Sequence, residues 1–257
     1  MSVNPGKKRA AKAHRQNPAA DGAARPGRAE IAPGLWLDHR RALVMPEAGW
    51  LAVADLHYGF EVHRKLAHGA LLPDFGMAEV EERLVELMTD YEVRQIILVG
   101  DIMDGSGSAE LTAGFLDRLE SRGVELICIA GNHDRSALRS RRAFLPWYVA
   151  AGNCFFHHGH QPEAAAKAFA ECSPQPSGWM QIQGHLHPAV HVGDGAGLKM
   201  VLPALAELPP LAELPPLAEA GRVFVLPAFS PWARGGKIGT GTAAQWACAG
   251  GHVLRIA

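Results

Sequence analysis

The feature that most constrains the fold of this chain is a repeated pairing of a short apolar run with a small polar cluster rich in histidine and aspartate. Runs such as residues 96–99 and 126–129 are typical of strands buried on both faces. In an open α/β sheet, the loops that leave adjacent strands meet at one edge. We therefore expect the polar clusters to meet at the carboxyl ends of strands. The five clusters are Asp55-Leu56-His57, Gly100-Asp101, Gly131-Asn132-His133-Asp134, His157-His158-Gly159-His160 and Gly184-His185-Leu186-His187.

Hydrophobic periodicity predicts how these runs are connected. Apolar residues at helical spacing indicate helices over residues 77–91 and 109–122. The order strand, helix, strand, helix, strand through residue 130 implies parallel pairing with right-handed crossovers. The predicted strands cover residues 35–37, 42–45, 50–54, 95–99, 124–130, 153–156, 179–183, 223–226, 244–248 and 253–256.

Length and charge predict one folded domain with a basic arm. A chain of 257 residues, 48% of them hydrophobic, can bury one sizeable core, which we assign to residues 31–257. Residues 1–28 carry a net charge of +6 and the rest of the chain −7, for a total of −1. Because this segment has no aromatic residue and Val3 is its only branched apolar residue, residues 1–30 are interpreted as a disordered basic arm. A tether to a phosphate backbone is compatible with that interpretation, whereas an organelle transit peptide would need an amphipathic stripe.

Residues 203–220 contain a short repeat, because Leu-Ala-Glu-Leu-Pro-Pro at 205–210 recurs at 211–216. Paired prolines do not fit a helix interior or a central strand. We therefore expect an extended, mobile surface insertion at about 203–220, with a proline-rich docking site as the alternative. The chain has no secretory signal and no run of about 18 apolar residues. This predicts a cytoplasmic protein without a membrane segment.

The residue types in the five clusters are those that bind divalent transition metals. Imidazole nitrogens together with carboxylate and amide oxygens are sufficient for two ions. Two ions about 3.5 to 4 Å apart can activate water and neutralise the charge that develops on a phosphoester. Asp101 is the candidate bridging ligand. A single Asp-x-His or Gly-Asp is usually a polar strand end or a turn, so the prediction depends on all clusters occurring together.

Spacing gives the other side chains their expected roles. Asp55 and His57, two residues apart at a strand end, can reach the same ion, and His185 and His187 share that spacing. Asn132 offers an amide oxygen to a second ion. His133 is the candidate proton donor to the leaving oxygen or ligand of the phosphate, and Asp134 is expected to orient the His133 imidazole. The fourth cluster contains three candidate histidines, His157, His158 and His160. His157 is expected to point to the opposite side if the strand continues, and His160 is a candidate substrate contact.

These motifs, in this order, resemble those of the calcineurin-like metallophosphoesterase superfamily over about residues 50–188. The resemblance implies an α/β fold, a four-layer αββα sandwich of two mixed β-sheets flanked by helices. It also implies that Asp55, His57, Asp101 and His187 hold one ion and that Asp101, Asn132, His158 and His185 hold the other. His133 would then be the general acid or a phosphate ligand.

Residues 54–61 and 226–230, followed by Gly235-Gly236, are similar to the small prokaryotic branch that includes DNA ligase-associated phosphoesterases. This implies a phosphodiesterase that hydrolyses a nucleotide or nucleic-acid phosphodiester by attack of a metal-bridging hydroxide. The expected cofactors are two divalent ions, Mn first and Fe, Zn, Co or Ni as alternatives. The expected partners are the phosphoester substrate, such as a nucleotide or single-stranded nucleic acid, and DNA-repair proteins. The alternatives are a DNA-repair nuclease and a non-catalytic scaffold resembling the retromer subunit of this superfamily.

Overall fold

The computed structural model describes residues 27–105, 108–172, 178–193, 195–197, 199–209, 221–238 and 241–256. Within them, a first sheet has six strands in the order of the chain. Its first four strands are antiparallel, and its last three are parallel because helices connect them. The strands are β1 (Arg28–Ala32), β2 (Leu35–Asp38), β3 (Ala42–Met45), β4 (Trp50–Val53), β5 (Gln95–Val99) and β6 (Glu125–Ile129), with a 3₁₀ turn at Pro46–Ala48.

A second sheet contains the strands of the carboxyl-terminal half. Its strands are β7 (Trp147–Ala150), β8 (Cys154–His157), β9 (Met180–Gln183), β10 (Ala189–Gly193), β11 (Lys199–Leu208), β12 (Arg222–Val225), β13 (Ala244–Ala249) and β14 (His252–Arg255). The described order is β14-β13-β11-β12-β9-β8-β7, and β10 pairs with β11. Strands β8, β9 and β12 are parallel to one another, so β8 and β9 end at the same edge.

Five helices accompany the sheets in the described residues: α1 (Phe60–His68), α2 (Gly76–Tyr91), α3 (Ala109–Glu120), α4 (Ser136–Arg139) and α5 (Pro162–Cys172). Helices α2 and α3 bury Leu84 and Phe115 against the outer face of the first sheet. Helix α5 buries Phe169 against the second sheet. None of the described helices is both long and apolar enough to cross a membrane.

The main core lies between the two sheets. Trp50 of β4 meets Phe156 of β8 edge to face, with ring centroids 5.4 Å apart. Fully buried Ile97 and Phe224 extend the same cluster to both sheets. Burying such side chains stabilises the fold by about 1.5 to 3 kcal/mol each. The predicted four-layer sandwich of two mixed sheets with outer helices is therefore confirmed.

The predicted arm and insertion both extend too far into the folded domain. Strand β1 begins at Arg28, so residues 28–30 are not part of a disordered arm; the Arg28 guanidinium lies 4.2 Å from the centre of the Trp36 ring. Residues 1–26 lie outside the described residues.

The start of the expected insertion is likewise a strand. Residues 203–208 belong to β11, where Leu205 is fully buried between β12 and β13. The prediction was wrong there because the paired prolines follow the strand instead of interrupting it. Residues 210–220 lie outside the described part of the chain.

Candidate metal centre

The predicted ligands lie where strands of both sheets end. Asp55 and His57 follow β4, Asp101 follows β5 and Asn132 follows β6. From the second sheet, His158 follows β8, and His185 and His187 follow β9. Because the two sheets pack face to face with these edges together, side chains that are more than a hundred residues apart in sequence come into contact. All seven predicted ligands are found at this edge.

The first ligand group consists of Asp55, His57 and His187, whose ligand atoms lie within 4.8 Å of one another. The His187 Nε2 atom lies 3.3 Å from Asp55 Oδ1 and 3.5 Å from His57 Nε2. Asp55 is also fixed by the backbone, because its carboxylate accepts hydrogen bonds from the His185 N–H at 3.0 and 3.1 Å. This group takes two side chains from the first sheet and one from the second.

The second ligand group consists of Asp101, His158 and His185, again within 4.8 Å of one another. The His158 Nε2 atom lies 3.3 Å from Asp101 Oδ2 and 3.3 Å from the amide oxygen of Asn132. The amide oxygen of Asn132 therefore lies beside this group. The second group takes two side chains from the second sheet. Its His158 side chain is more deeply buried than any histidine of the first group, since His158 is 1% exposed.

Both groups present lone pairs to one another, which is the arrangement a cation satisfies. The His158 Nδ1 atom donates to the Val99 carbonyl oxygen at 3.0 Å, so its Nε2 atom faces two oxygens. The His57 Nδ1 atom donates to Asp104 Oδ1 at 3.0 Å, so its Nε2 lone pair faces His187. A bound ion would replace the proton between His158 Nε2 and Asp101, and these nitrogen and oxygen donors then fit two divalent transition-metal ions.

The charges at the second ligand group show the same preference for a cation. Burial alone would raise the pKa of Asp101, but hydrogen bonds from His158 and from the His133 N–H outweigh it and lower that pKa. Burial would lower the pKa of His158, yet its hydrogen bond with Asp101 raises it. Burial lowers the pKa of His185, and the neighbouring His158 lowers it further. The group therefore stabilises an ionised carboxylate next to positive charge.

The backbone at the site adopts conformations that most residues avoid. Five of the eight described non-glycine residues with positive φ belong to the two ligand groups. These five are Asp55 (55°), His57 (44°), Asp101 (48°), His185 (72°) and His187 (45°). Non-glycine residues in the left-handed region are uncommon and cluster at functional sites. The strain turns each side chain away from its strand and towards the edge that both sheets share.

Two glycines allow the strand ends to approach one another. A Cβ on Gly100, where φ is 76°, would lie 2.3 Å from His158 Nδ1. A Cβ on Gly131 would lie 2.1 Å from the Asp101 nitrogen. Both distances are shorter than any tolerated contact. The glycines that precede Asp101 and Asn132 in their motifs are therefore required for the second ligand group to close.

Asp104 connects three imidazoles beside the first ligand group. Its carboxylate lies 3.0 Å from His57 Nδ1, 2.8 Å from His63 Nδ1 and 3.5 Å from His133 Nδ1. Burial raises the pKa of Asp104, but the hydrogen bonds from these histidines outweigh it and lower that pKa. The hydrogen bond with Asp104 in turn raises the pKa of His133. Sequence reasoning gave His63 no role, and only its position on the helix that follows the first motif brings it here.

The structure corrects the role predicted for Asp134. Its carboxylate accepts backbone hydrogen bonds from Gly131 at 2.8 Å, Ile102 at 2.9 Å and Met103 at 3.1 Å. These bonds connect the loops after β5 and β6, so Asp134 shapes the loop and does not orient His133. The carboxylate that faces the His133 imidazole is Asp104, which sequence reasoning had not connected with it.

The remaining histidines of the fourth cluster separate as predicted. His157 is buried on the opposite side from His158, with its Nε2 atom 2.7 Å from Gln181 Nε2. Burial lowers the pKa of His157 to about 3, so this imidazole is neutral. His160 is partly exposed beside His158, at 5.2 Å between ring centroids.

Comparisons with known proteins identify the family of this chain. The family model of the calcineurin-like phosphoesterase matches residues 51–210. Among solved structures, the chain is similar to the nuclease MPE of Pseudomonas putida, with a TM-score of 0.58, 23% identity, and coverage of 86% of this chain and 94% of that one. The E. coli phosphoesterase YfcE gives a TM-score of 0.36 at 17% identity, over 77% of this chain and 86% of that one. No curated protein sequence matches.

The matched region contains every strand end that supplies the two ligand groups. It covers more than half of the chain and all five polar clusters. The chain therefore belongs to the calcineurin-like phosphoesterase family, and it is a metal-dependent phosphoester hydrolase.

Proposed function

We propose that this chain hydrolyses a phosphodiester of a nucleotide or nucleic acid at a dinuclear metal centre. The observation that carries this proposal is the presence of two ligand groups side by side, each built from both sheets. In this proposal Asp55, His57 and His187 hold one ion, and His158, His185 and Asn132 hold the other. Asp101 is proposed to serve both. Two ions bound there supply an activated water and neutralise the charge that develops on phosphorus.

His133 is proposed to assist the leaving group. Its main-chain N–H donates to Asp101 Oδ1 at 2.7 Å, which fixes the loop, while its imidazole is 42% exposed at the mouth of the site. With Nδ1 towards Asp104, the Nε2 atom faces outward and can donate a proton or a hydrogen bond to a leaving oxygen. The His57 and His133 rings lie 4.9 Å apart, so this proton is held beside the first ligand group.

A phosphodiester is favoured over a phosphomonoester by two likenesses. The motif resemblance is to DNA ligase-associated phosphoesterases, and we propose that the chain belongs to that branch. The solved structure with a TM-score of 0.58 is named a nuclease. We extend that name to this chain as a proposal, with single-stranded nucleic acid as the substrate and manganese as the metal. Iron, zinc, cobalt and nickel accept the same donors.

The test is an assay of metal-stripped protein reconstituted with Mn²⁺, using an aryl phosphodiester and the matching monoester. We expect metal-restored cleavage of the diester that is lost in Asp101→Asn and His133→Ala. His191→Ala, an exposed histidine on β10, is the matched control and should keep full activity. Faster cleavage of the monoester would overturn the substrate class, and the absence of turnover with two bound metals would favour a scaffold.

The scaffold alternative has its own experiment. Residues 205–208 are part of β11, so the deletion is confined to residues 210–220. If this deletion leaves diester hydrolysis intact but abolishes capture of a DNA-repair protein, the chain has a partner site in addition to its activity. If hydrolysis is absent throughout while capture persists, the scaffold function replaces the proposed one. The full set of ligand side chains and His133 favours hydrolysis.

A further inference from the structure

A strongly basic stretch of chain borders one side of the metal centre. Residues 135–162 contain four arginines and no lysine, aspartate or glutamate. This stretch begins directly after the Asn132-His133-Asp134 motif and passes through α4 to β8. Positive charge confined to one side of a site that binds phosphate indicates where further phosphates of a substrate lie.

Two clefts open along this stretch and meet at the metal centre. The first has a volume of about 640 Å³ and runs from Asn132 and His158 to Phe144 and Trp147. The second has a volume of about 660 Å³ and is lined by Asn132, Arg135 and Arg139 together with two serines. Both clefts share Asn132 and Arg139, so they form one path past the second ligand group. Both clefts are open to solvent along their length, the second more than the first.

The arginines of the path differ in whether their charge is already neutralised. Arg142 is paired with Asp117 and Glu120 and fastens this stretch to α3. Arg139 donates one hydrogen bond to the Gly131 carbonyl oxygen at 2.7 Å and lies 5.8 Å from the centre of the Phe144 ring. Among the described residues, neither Arg135 nor Arg139 forms an ion pair with a carboxylate. Their guanidinium groups are therefore available to bind anions.

The first cleft also offers apolar and polar contacts. Phe144 and Trp147 are partly exposed in its wall, and Trp147 is backed by the stacked ring of Phe155 at 5.9 Å. The Nδ1 atom of His160, in the same wall, is buried without a hydrogen-bond partner among the described residues. Proteins that bind single strands combine arginines along the backbone with aromatic rings beside the bases. This wall contains both.

We propose that a polynucleotide strand leaves the metal centre along these two clefts, where Arg135 and Arg139 bind phosphates next to the one that is cleaved and the Phe144–Trp147 wall packs on a base. This inference rests on the proposed phosphodiesterase function and adds the residues that select a strand over a mononucleotide. A single phosphate at the metals would leave both guanidinium groups without an anion.

The test compares two substrates in four variants: a fluorescein-labelled oligothymidylate and an aryl phosphodiester. For Arg135→Ala and Arg139→Ala we expect the KM for the oligonucleotide to rise about tenfold. The loss of kcat/KM should be at least about fivefold larger for the oligonucleotide than for the aryl diester. Each substitution should also make the plot of log kcat/KM against log salt concentration shallower by about 0.7. Arg139→Lys should keep the salt dependence, because the charge remains.

Arg122→Ala is the matched control. Arg122 is exposed and precedes β6, so it lies at the edge of the sheet opposite the metal centre. We expect its kinetic constants to equal those of the unsubstituted protein. The guanidinium of Arg135 makes no hydrogen bond among the described residues, so Arg135→Ala keeps the test valid if loss of the Arg139–Gly131 bond disturbs folding.

The proposal is overturned if both alanine variants lose activity equally on the two substrates, since the arginines would then act on the metal centre itself. An unchanged salt dependence would overturn it as well. If the unsubstituted protein cleaves neither diester, the proposed function fails but the strand path is still tested by fluorescence anisotropy on metal-free protein. There, weaker binding of the oligonucleotide by Arg135→Ala than by Arg122→Ala supports the path, and equal binding refutes it.

Discussion

The two ligand groups of the metal centre differ in how their central histidine is held. In the first group, His57 donates to the carboxylate of Asp104, which also contacts His63 and His133. In the second group, His158 donates to the main-chain carbonyl of Val99. A carboxylate partner makes an imidazole a stronger ligand and connects it to other ionisable groups, whereas a carbonyl fixes only the ring orientation. The first group is thus coupled to the proposed proton donor, and the second is held by the fold.

The largest effect is expected where the two groups meet. Asp101→Asn removes the carboxylate proposed to serve both ions and keeps the volume of the side chain. Metal ions contribute several kcal/mol of transition-state stabilisation, so kcat should fall by about a thousandfold or more. Elemental analysis after dialysis should show fewer than two ions per chain. If the variant retains both ions and full activity, Asp101 does not bridge the two ions.

The next largest effect separates the groups. Asp104→Asn should weaken one ion and lower kcat by about 10- to 100-fold, the usual cost of losing a carboxylate behind a ligand histidine. The second ion should be unaffected, because His158 is held by Val99. Calorimetric titration with Mn²⁺ should show weaker binding at one site and unchanged binding at the other, relative to the unsubstituted protein. Equal weakening of both sites would contradict the separation.

Substitution of a buried carboxylate outside the metal centre should change the stability of the fold without changing metal binding. Asp38 is 3% exposed and accepts hydrogen bonds from Arg40 and Tyr91. Burial raises its pKa, but these bonds, chiefly from Arg40, outweigh burial and lower it. Asp38→Asn should lower the free energy of unfolding at neutral pH by about 2 kcal/mol and leave Mn²⁺ affinity unchanged.

The same substitution has a defined pH dependence. A carboxyl group with a lowered pKa stabilises the folded state above its unfolded pKa of about 3.9 and loses that effect as pH falls. The difference in unfolding free energy between Asp38→Asn and the unsubstituted protein should therefore be constant near neutral pH and shrink below about pH 4. Urea denaturation at several pH values measures it. A difference that grows on acidification would contradict the assigned pKa direction.

The smallest effect is expected at the edge of the first group. His63 makes one of the three imidazole contacts to Asp104, so His63→Ala should lower kcat about threefold, in line with one net hydrogen bond. His63→Asn, which keeps a donor, should recover part of the loss. If His63→Ala equals Asp104→Asn in effect, His63 must act in some way other than through Asp104.

Most of the ligand set was predictable because it depends on short motifs at strand ends. An apolar run predicts a buried strand, and the residue that follows it lies at the sheet edge in any arrangement of the sheets. Because the strands before Asp55 and His158 end at the edge that both sheets share, these two residues come together however the helices are arranged. The division of the ligands between two ions came from the family resemblance. In the structure, the ligand atoms of Asp55, His57 and His187 lie within 4.8 Å of one another, as do those of Asp101, His158 and His185.

The predictions that were wrong or missing concern residues whose role depends on loop conformation and on contacts with residues distant in the sequence. Asp134 was assigned to His133 because they are neighbours in sequence, but the loop turns its carboxylate onto three backbone N–H groups. His63 had no signal, because no sequence pattern connects it with Asp104 and α1 buries only Glu61 among its residues. The carboxyl-terminal part of β11 was not predicted, because residues 203–208 were grouped with the paired prolines that follow them into one insertion.

The left-handed backbone at the site has a consequence for the heat resistance of this protein. Each non-glycine residue in such a conformation costs on the order of 1 to 3 kcal/mol, and five of them lie in the ligand groups. Glycine would relieve that cost at His57 or His187, while removing the imidazole. A screen that selects only for a higher melting temperature should therefore recover glycine at these positions first. Substitutions that raise the melting temperature at these positions should therefore lower the rate of phosphoester hydrolysis.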